Sequence, residues 1–261
     1  METARSHSLS TILLVQGSFQ VPQVYEKLVR GLETCGYLIV QPRLPSCSAT
    51  ESPDFPQRSL LDDAMAVRSE LSRLIDREGR SVIVVMHSYG GLVGSEAITE
   101  ELTVSQRKAQ SLQGGVSYLF FYSAFLLDEG QSVLSAFGES PNNDVKPDGR
   151  FFLKDGAQKL YNDLPPSEAS YWESRLIAES YKVQTTVLTH AAWRYVPSTY
   201  LICENDQAVP VPFQEMFATK ANARVDKCSS GHSPHLSQPE MLVQKIHRAT
   251  QEVTFAPDLD V

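Results

Sequence analysis

The sequence has few cysteines, and they show no pairing pattern. The four are Cys35, Cys47, Cys203 and Cys228, and no two of them have C-x-x-C spacing. Small secreted domains that depend on disulfides are dense in cysteine, so this class of protein is excluded. The first apolar run, over 12–15, is too short for the core of a signal peptide. We therefore expect reduced thiols and a cytoplasmic protein.

Long apolar runs and basic runs are also missing. No apolar stretch approaches the ~20 residues that a membrane-spanning helix needs. Lysine and arginine number 23 against 31 aspartates and glutamates, which gives a net charge of −8. Without a basic cluster, a protein of this charge has no electrostatic footprint for nucleic acid or an anionic membrane. We expect a small-molecule ligand that is neutral or weakly polar, and both a monomer and a homodimer remain open.

What the sequence does contain is an alternation of strand-like and helix-like segments along 261 residues. The short apolar runs that predict strands are 11–15, 37–40, 81–86, 116–122, 199–203 and 224–228. Amphipathic segments between them predict helices, for example over 60–75, where Asp62 and Asp63 occupy the first turn and suit the helix dipole. This repetition implies an α/β fold with a mostly parallel sheet flanked by helices.

The alternation lapses in the middle of the chain, where no strand-like run occurs. Polar loops and helical pieces, such as 157–164 and 168–180, predict a helical cap that is inserted into the core. The predicted organisation is a first part of the core over 1–125, the helical cap over 126–193 and the second part of the core over 194–261, with a loose tail over 255–261. One α/β core with an insertion fits the chain length.

A serine lies where the most apolar strand gives way to a helix. The segment is Met86-His-Ser88-Tyr-Gly-Gly91, and this strand–turn–helix context is typical of a nucleophile elbow. The helix N-terminus favours negative charge that develops near the Ser88 hydroxyl. Met86 stands where the G-x-S-x-G pattern has glycine, so packing or a shifted turn must accommodate it. The competing interpretations are a serine that caps the helix and a phosphate loop, and the latter lacks its G-x-x-x-x-G-K pattern.

Carboxylates that follow later strands are candidates to orient a histidine. Asp206 comes just after the strand over 199–203 and ahead of Pro210, which opens the next helix. Glu204 is closer to the strand, but alternation along the strand points it to the opposite side. Asp128, after the fourth strand, is the alternative acid. A helix cap or a solvated loop carboxylate is the structural interpretation of Asp206.

His232 lies in the loop between the last short strand and the final helix. From such a loop its imidazole can reach back over the sheet edge to Ser88. His235 is interpreted as a surface or helix-start histidine. Cys228, His232 and His235 are close in sequence, but a closed zinc site needs four ligands and no second pair has suitable spacing. No metal is therefore expected.

The chain order Ser88, Asp206, His232 is that of the triad in α/β-hydrolases. Several segments resemble members of that superfamily, especially the compact branch of plant methylesterases, hydroxynitrile lyases and related microbial esterases. These segments are LLVQGSF, VVMHSYGG, FFYSAFLLDEG, STYLICENDQAVP and SGHSPHLSQPE, and they span residues 12–240. The resemblance implies the α/β-hydrolase fold with an inserted cap and a Ser-His-Asp triad that requires no cofactor.

The resemblance also implies an oxyanion hole and a substrate pocket. The loop Gln16-Gly-Ser18 after the first strand and the residue after the serine predict backbone N–H donors at Ser18 and Tyr89. Gln16 replaces the histidine that often precedes this glycine, which is expected to alter the hydrogen bonding beneath the loop. Most aromatic residues of the cap are expected to pack it onto the core. The candidate substrate contacts are Phe19, His87, Phe125, Tyr161, Trp172 and Trp193.

The predicted activity is hydrolysis of a carboxylic ester, thioester or lactone of a small apolar or aromatic substrate through an acyl-enzyme. Ser88 argues against epoxide hydrolases and dehalogenases, which carry aspartate at this position. Lys220 and Lys227 do not match the lysine that cyanohydrin-cleaving relatives keep near the acid loop. Two alternatives stay open: a non-hydrolytic C–C lyase or cyclase that uses the same triad on a polyketide-like metabolite, and a ligand receptor on the same fold.

Overall fold

The computed structural model describes residues 10–255, and this range contains nine strands and eleven α-helices. The strands are β1 (Thr11–Val15), β2 (Leu38–Val40), β3 (Ser81–His87), β4 (Gly115–Tyr122), β5 (Asn143–Val145), β6 (Arg150–Leu153), β7 (Glu179–Ser180), β8 (Ser198–Cys203) and β9 (Arg224–Cys228). The helices are α1 (Glu26–Thr34), α2 (Leu60–Ser72), α3 (Gly90–Ala97), α4 (Val104–Ala109), α5 (Val133–Phe137), α6 (Gly156–Leu160), α7 (Pro166–Glu173), α8 (Lys182–Thr185), α9 (Val211–Lys220), α10 (Pro234–Ser237) and α11 (Pro239–Phe255). Phe255 thus ends a helix, and the rest of the expected tail, 256–261, lies outside the described residues.

Six strands form one sheet in the order β2-β1-β3-β4-β8-β9, and every neighbouring pair is parallel. This pairing confirms the predicted parallel sheet. The sheet was predictable because strands that are buried on both faces leave continuous apolar runs in the sequence. The strand order reverses at β1, which has β2 on one side and β3 on the other. In open parallel sheets, ligands bind at the carboxyl ends of the strands at such a reversal.

The two faces of the sheet pack against separate hydrophobic layers. In β1, Leu13 and Val15 belong to one layer, whereas Ile12 and Leu14 belong to the other. This division follows from the alternation of side chains along a strand. Helices α2, α3 and α9 contribute to the first layer, and α1 and α11 contribute to the second. The strands that carry the candidate site are therefore held rigidly from both faces.

The inserted segment over 126–193 is not purely helical, which corrects the prediction of a helical cap. Strands β5, β6 and β7 form an antiparallel sheet beside helices α5 to α8. The helix predicted over 168–180 ends at Glu173, and Glu179–Ser180 pairs with β6 instead. These strands are only two to four residues long, so they leave no period-two pattern in the sequence. The boundaries of the three parts stay a prediction.

The cysteines and the helices bear on the predictions of reduced thiols and of a chain without a membrane-spanning helix. All four cysteines are free thiols, and Cys35 is the one that is partly exposed. None of the helices between residues 10 and 255 is long and apolar enough to span a bilayer.

Glycines let helix α3 approach strand β1 closely. A Cβ atom built on Gly90 would lie 2.7 Å from the Gln16 carbonyl oxygen and still closer to that of Val15. These backbone atoms cannot move aside, so a side chain at Gly90 would push α3 away. Gly94 faces Met86, whose Cγ would lie 2.9 Å from a Cβ built there. The methionine that departs from the G-x-S-x-G pattern is thus accommodated by packing against Gly94.

Replacing Gly90 with alanine is expected to lower the free energy of unfolding by about 1–3 kcal/mol, because the new Cβ meets immobile backbone. Gly94→Ala is the matched control. We expect a smaller loss there, since the Met86 side chain can rotate and alanine favours the helix. Urea unfolding followed by circular dichroism measures both variants. Equal losses, or a larger loss for Gly94→Ala, would contradict the close approach of α3 to β1.

Candidate active site

Ser88 is held at the end of β3 in a strained backbone conformation. Its φ of 52° lies in the left-handed region, which residues other than glycine rarely adopt. The Ser88 carbonyl accepts hydrogen bonds from the amides of Gly91 and Phe125, both at 3.0 Å, and its own amide donates to the Tyr122 carbonyl at 3.4 Å. These bonds fix the turn from both sides and so maintain the strain. The strand, tight turn and helix on which the prediction of a nucleophile elbow depends are thus present, and the role of Ser88 as nucleophile stays a prediction.

Asp206 and His232 form a buried pair beyond the ends of β8 and β9. His232 Nδ1 lies 2.9 Å from Asp206 Oδ2 and 3.0 Å from Oδ1. Asp206 Oδ1 also accepts hydrogen bonds from the amides of Ala208 at 2.8 Å and Val209 at 2.9 Å. A carboxylate bound on several sides keeps one orientation. The Asp206 carboxylate accepts the hydrogen bond of His232 Nδ1–H, and Nε2 remains the free ring nitrogen.

Gln214 fixes the loop that carries Asp206. Its fully buried side chain accepts a hydrogen bond from the Cys203 amide at 2.9 Å and donates to the Val209 carbonyl at 2.7 Å. The same amide group lies 3.4 Å from Asp206 Oδ2. One side chain thus connects both ends of the acid loop. Sequence reasoning missed Gln214, because a polar residue on an amphipathic helix is ordinarily exposed.

The alternative acids lie away from the histidine. Asp128 forms ion pairs with Arg194, at 2.7 Å, and with Lys220. The hydrogen bond from Lys220 lowers the pKa of the Asp128 carboxyl. Glu204 is exposed and lies in the turn just beyond the end of β8. Asp206 is the candidate acid that the structure brings to His232.

His87 lies beneath the site, which corrects the prediction that it contacts the substrate. Its fully buried ring places Nε2 3.0 Å from the His232 carbonyl oxygen and Nδ1 2.8 Å from the Tyr25 hydroxyl. A carbonyl only accepts hydrogen bonds, so Nε2 carries the proton of the neutral ring and Nδ1 is the unprotonated nitrogen beside the Tyr25 hydroxyl. Burial, reinforced by His235 and His232, lowers the pKa of His87 well below its ordinary value. His87 is therefore a neutral residue that fixes the backbone of His232.

His235 is fully buried, which corrects the interpretation of a surface histidine. It does lie in the short helix α10, but its ring stacks on that of Tyr25 with 4.4 Å between the centroids. Burial lowers the pKa of His235 well below its ordinary value. His87 and His235, which lie beneath the site, are therefore both neutral. A cation at either position would repel a positive charge on the His232 ring.

The loop after β1 is supported from below by polar side chains. The Gly17 amide donates to the Tyr25 hydroxyl at 2.9 Å. The same hydroxyl lies 2.8 Å from Gln20 Oε1, and the Gln16 side chain donates to the Gln20 carbonyl at 2.9 Å. Gln16, which stands where histidine was expected, thus bonds to the backbone of Gln20 beneath the loop.

Two free backbone amides lie beside Ser88. Ser18 and Tyr89, which follow β1 and β3, both line the same cavity as Ser88. Among the described residues, neither of their N–H groups donates to another backbone or side-chain group. Unpaired N–H groups are rare in protein interiors. Two donors are thus available to a ligand at the point where the strand order reverses.

A cavity of about 340 Å³ lies above Ser88 and His232. The aromatic residues in its wall are Phe19, Tyr89, Phe125, Phe137, Phe151 and Phe213. The hydrogen bonds of the His232 ring, as far as the described residues go, run to Asp206. Ser88 and His232 therefore share the cavity wall without a direct hydrogen bond. A concave, mainly apolar cavity with a few convergent polar groups is typical of small-molecule sites.

The predicted substrate contacts divide into two groups. Phe19 and Phe125 line the cavity, whereas Tyr161, Trp172 and Trp193, like His87, do not, and this corrects the prediction for them. Tyr161 and Trp193 are buried within the hydrophobic layers, and Trp172 packs against one of them. Sequence reasoning missed Phe137 in the inserted segment and Phe213 in α9, because no local pattern shows which aromatic residues face a cavity.

Comparison with known proteins identifies the family. The sequence profile of the alpha/beta hydrolase family matches residues 12–245. The chain belongs to this family. It is 32% identical over 249 residues to alpha/beta hydrolase nvfD of Aspergillus novofumigatus, which covers 92% of this chain and 96% of that protein. It is 28% identical over 246 residues to probable hydrolase R7 of a Phoma species, which covers 88% of this chain and 94% of that protein.

Solved structures share the fold of this alpha/beta hydrolase. Polyneuridine aldehyde esterase matches with a TM-score of 0.72 over 93% of this chain and 99% of that chain. The identity is 17%, so the likeness shows the fold alone. The predicted α/β-hydrolase fold is thereby confirmed.

Replacing His87 with leucine is expected to destabilise this hydrolase by roughly 1–3 kcal/mol, because the buried His232 carbonyl loses its hydrogen-bond partner, whereas the Tyr25 hydroxyl keeps Gly17 and Gln20. The loss should be smaller at pH 5 than at pH 7.5. His87 stays neutral in the folded protein but gains a proton in the unfolded chain below about pH 6.5, so the wild type alone loses this stability on acidification. Denaturant unfolding at both pH values measures the difference.

His247→Leu is the matched control for this prediction. His247 also contacts a tyrosine, with its Nδ1 2.7 Å from the Tyr37 hydroxyl, but its ring is partly accessible to water. Its loss should be smaller, since water replaces the missing partner. A His87→Leu loss that equals the control, or that does not change with pH, would contradict the buried neutral ring.

Proposed function

We propose that this protein is a serine hydrolase that cleaves a carboxylic ester, thioester or lactone through a covalent acyl-enzyme. The observation that carries the proposal is the convergence of three features on one cavity. These are the strained turn of Ser88, the buried pair of His232 and Asp206, and the free amides of Ser18 and Tyr89. Acyl transfer needs a nucleophile, a base and donors for the oxyanion, and the three features supply them.

In the first half of the reaction, the Ser88 hydroxyl attacks the substrate carbonyl and His232 Nε2 accepts its proton. Asp206 stabilises the imidazolium through Nδ1. Serine and histidine commonly align fully only when substrate binds, which is consistent with the absence of a direct hydrogen bond in the free site. The amides of Ser18 and Tyr89 stabilise the oxyanion, and the N-terminus of α3 adds a favourable dipole.

In the second half, His232 returns the proton to the leaving alcohol or thiol, and the acyl group stays on Ser88. Water then attacks the acyl carbonyl while the same ring accepts its proton. Collapse of this second tetrahedral intermediate releases the carboxylic acid and restores the hydroxyl of Ser88. A lactone would give a hydroxy acid by the same steps.

The cavity supports a substrate with an apolar or aromatic group. Its wall combines aromatic side chains from the core with others from the inserted segment, and its volume of about 340 Å³ is at the low end for ligand pockets. The net charge of −8 favours neutral substrates over anionic ones. We therefore propose a small neutral ester, thioester or lactone whose acyl or alcohol part is apolar.

Substitution of Ser88 and of the two rival acids tests the proposal. Ser88→Ala should abolish labelling by a fluorophosphonate probe and turnover of a panel of neutral esters, thioesters and lactones. Asp206→Asn should lower kcat on the order of 10⁴-fold, because asparagine favours the wrong tautomer of His232. Asp128→Asn is the matched control, since it removes a carboxylate that pairs with Arg194 and Lys220, and it should retain wild-type turnover.

The outcomes separate the alternatives. A folded wild type that the probe does not label at Ser88 would sink the hydrolase and favour a receptor. Labelling without turnover or an acyl-enzyme burst on any member of the panel would favour C–C bond chemistry by the same residues. Equal losses for Asp128→Asn and Asp206→Asn would contradict the assignment of the acid.

A further inference from the structure

Two buried carboxyls lie behind the residues that supply the candidate oxyanion donors. Asp63, in the first turn of α2, and Glu179, on β7, are both 0% exposed. The Tyr89 hydroxyl donates to Asp63 Oδ2 at 2.7 Å. The Ser18 side chain interacts with the Glu179 carboxyl and acts to lower its pKa, against the larger effect of burial. Asp63 therefore holds the side chain of Tyr89, and Glu179 acts on that of Ser18, and both Ser18 and Tyr89 line the cavity.

Ser46 and Cys47 connect the two carboxyls. The Ser46 amide donates to Asp63 Oδ1 at 2.8 Å, and its hydroxyl donates to Oδ2 at 2.6 Å. The Cys47 thiol donates to Glu179 Oε1 at 3.2 Å, and the Ser46 hydroxyl lies 3.4 Å from the same oxygen. Within the described part of the chain, Glu179 Oε2 has no hydrogen-bond partner. We refer to Ser46, Cys47, Asp63 and Glu179 as the carboxyl cluster.

The carboxyl cluster can hold one negative charge but not two. No lysine, arginine or histidine of the described residues forms an ion pair with either carboxyl, and uncompensated buried charge is costly. Asp63 receives three hydrogen bonds from Ser46 and Tyr89, whereas one oxygen of Glu179 has none. The geometry thus places the charge on Asp63 and a proton on Glu179. Burial supports this order, since it raises the pKa of Glu179 to about 8 and that of Asp63 to about 6.

We propose that Asp63 and Glu179 are positioning residues for the oxyanion hole, and that the hole works only while Glu179 carries its proton. The inference rests on the proposed function. A second buried charge would reach the hole through Ser18 and oppose the negative charge that develops on the substrate oxygen. The inserted segment meets the same loop a second time, since the Ile177 amide donates to the Phe19 carbonyl at 2.9 Å.

Glu179 is the group of the carboxyl cluster that titrates on the alkaline side. The titratable groups that act on it or on its partners are Asp63 from α2, Cys47 from the turn Pro45–Cys47 and Tyr89 from the elbow. Burial raises the pKa of Cys47 and of Tyr89 well above their ordinary values. Both stay neutral while Glu179 loses its proton.

The pH dependence of Ser88 labelling by a fluorophosphonate probe tests the proposal without knowledge of the substrate. The wild-type rate should fall as pH rises through about 8. Glu179→Gln imitates the protonated carboxyl at every pH, so it should label at the wild-type rate at pH 7 and keep that rate at pH 9. At pH 9 we expect it to exceed the wild type by about tenfold, the effect of one pH unit on a single ionisation.

Glu96→Gln is the matched control. Glu96 is also buried, at 2% exposure, but it accepts hydrogen bonds from the amides of Thr189 and His190 rather than from Ser18 or Tyr89. Its variant should keep the alkaline fall of the wild type. Loss of that fall in both variants would show a general effect of removing buried carboxyls and would overturn the specific role of Glu179.

Thermal unfolding tests the proton on Glu179 independently of catalysis. A carboxyl whose pKa is raised by folding binds more protons in the folded than in the unfolded state. The wild type therefore loses stability as pH rises from about 4.5 to about 8. Glu179→Gln lacks this loss. Its Tm relative to wild type should rise by about 5 °C or more between pH 5.5 and 8.5, whereas that of Glu96→Gln should not show this rise.

The two measurements keep the failures distinguishable. Without labelling at Ser88, the proposed function fails and the oxyanion role falls with it, while the Tm comparison still decides the state of Glu179. With labelling, an alkaline fall retained by Glu179→Gln overturns the inference and leaves the hydrolase intact. If Glu179→Gln does not fold, Asp63→Asn replaces it. Loss of that charge should move the alkaline fall of labelling to lower pH, and an unchanged midpoint would overturn the inference.

Discussion

The parallel pairing of β1 with β3 is the constraint on which the site depends. The strands run in register from Thr11 opposite Val82 to Val15 opposite Met86, so the loops that leave them start side by side. A Cβ built on Gly17 would lie 2.9 Å from the Cβ of Ser88, which shows how tightly the two loops approach. Because the strand order reverses here, the helices that follow β1 and β3 pack on opposite faces of the sheet, and ligand crevices form between such diverging connections.

Two sets of buried polar residues support the site, one neutral and one acidic. Below His232, the set of His87, Tyr25 and His235 is neutral, because burial disfavours the charged form of each ring. Asp206 is then the carboxylate that the imidazolium of the proposed mechanism contacts. Behind the free amides, the carboxyl cluster is acidic and has no counter-ion among residues 10–255. Which atoms of these two sets carry protons depends on the hydrogen bonds that each side chain makes as well as on pH.

The inserted segment contributes to more than the shape of the cavity. Its strands supply Phe151 to the cavity wall and Glu179 to the carboxyl cluster, and the two residues lie opposite each other in the pairing of β6 with β7. A change in how this small sheet packs would therefore alter the cavity and the support of Ser18 together.

The sequence by itself determined the core strands, the family and the chain positions of Ser88, Asp206 and His232. These features leave local signals, since buried strands are continuous apolar runs and the close approach of α3 to β1 needs glycine. Only the tertiary structure decided what neighbouring residues do. Asp62 caps α2, where its carboxylate accepts from the Ser59 amide at 2.7 Å, whereas Asp63 turns inward to Tyr89.

The same limit applies to His87, Glu179 and the aromatic wall of the cavity. Each depends on groups far away in the chain, and His87 contacts a carbonyl 145 residues away. Sequence pattern reports the periodic burial of a segment, but a residue that contacts the cavity and one that lies beneath it have the same local pattern. Their roles are set by which distant segments pack against them, and that packing exists only in the folded chain.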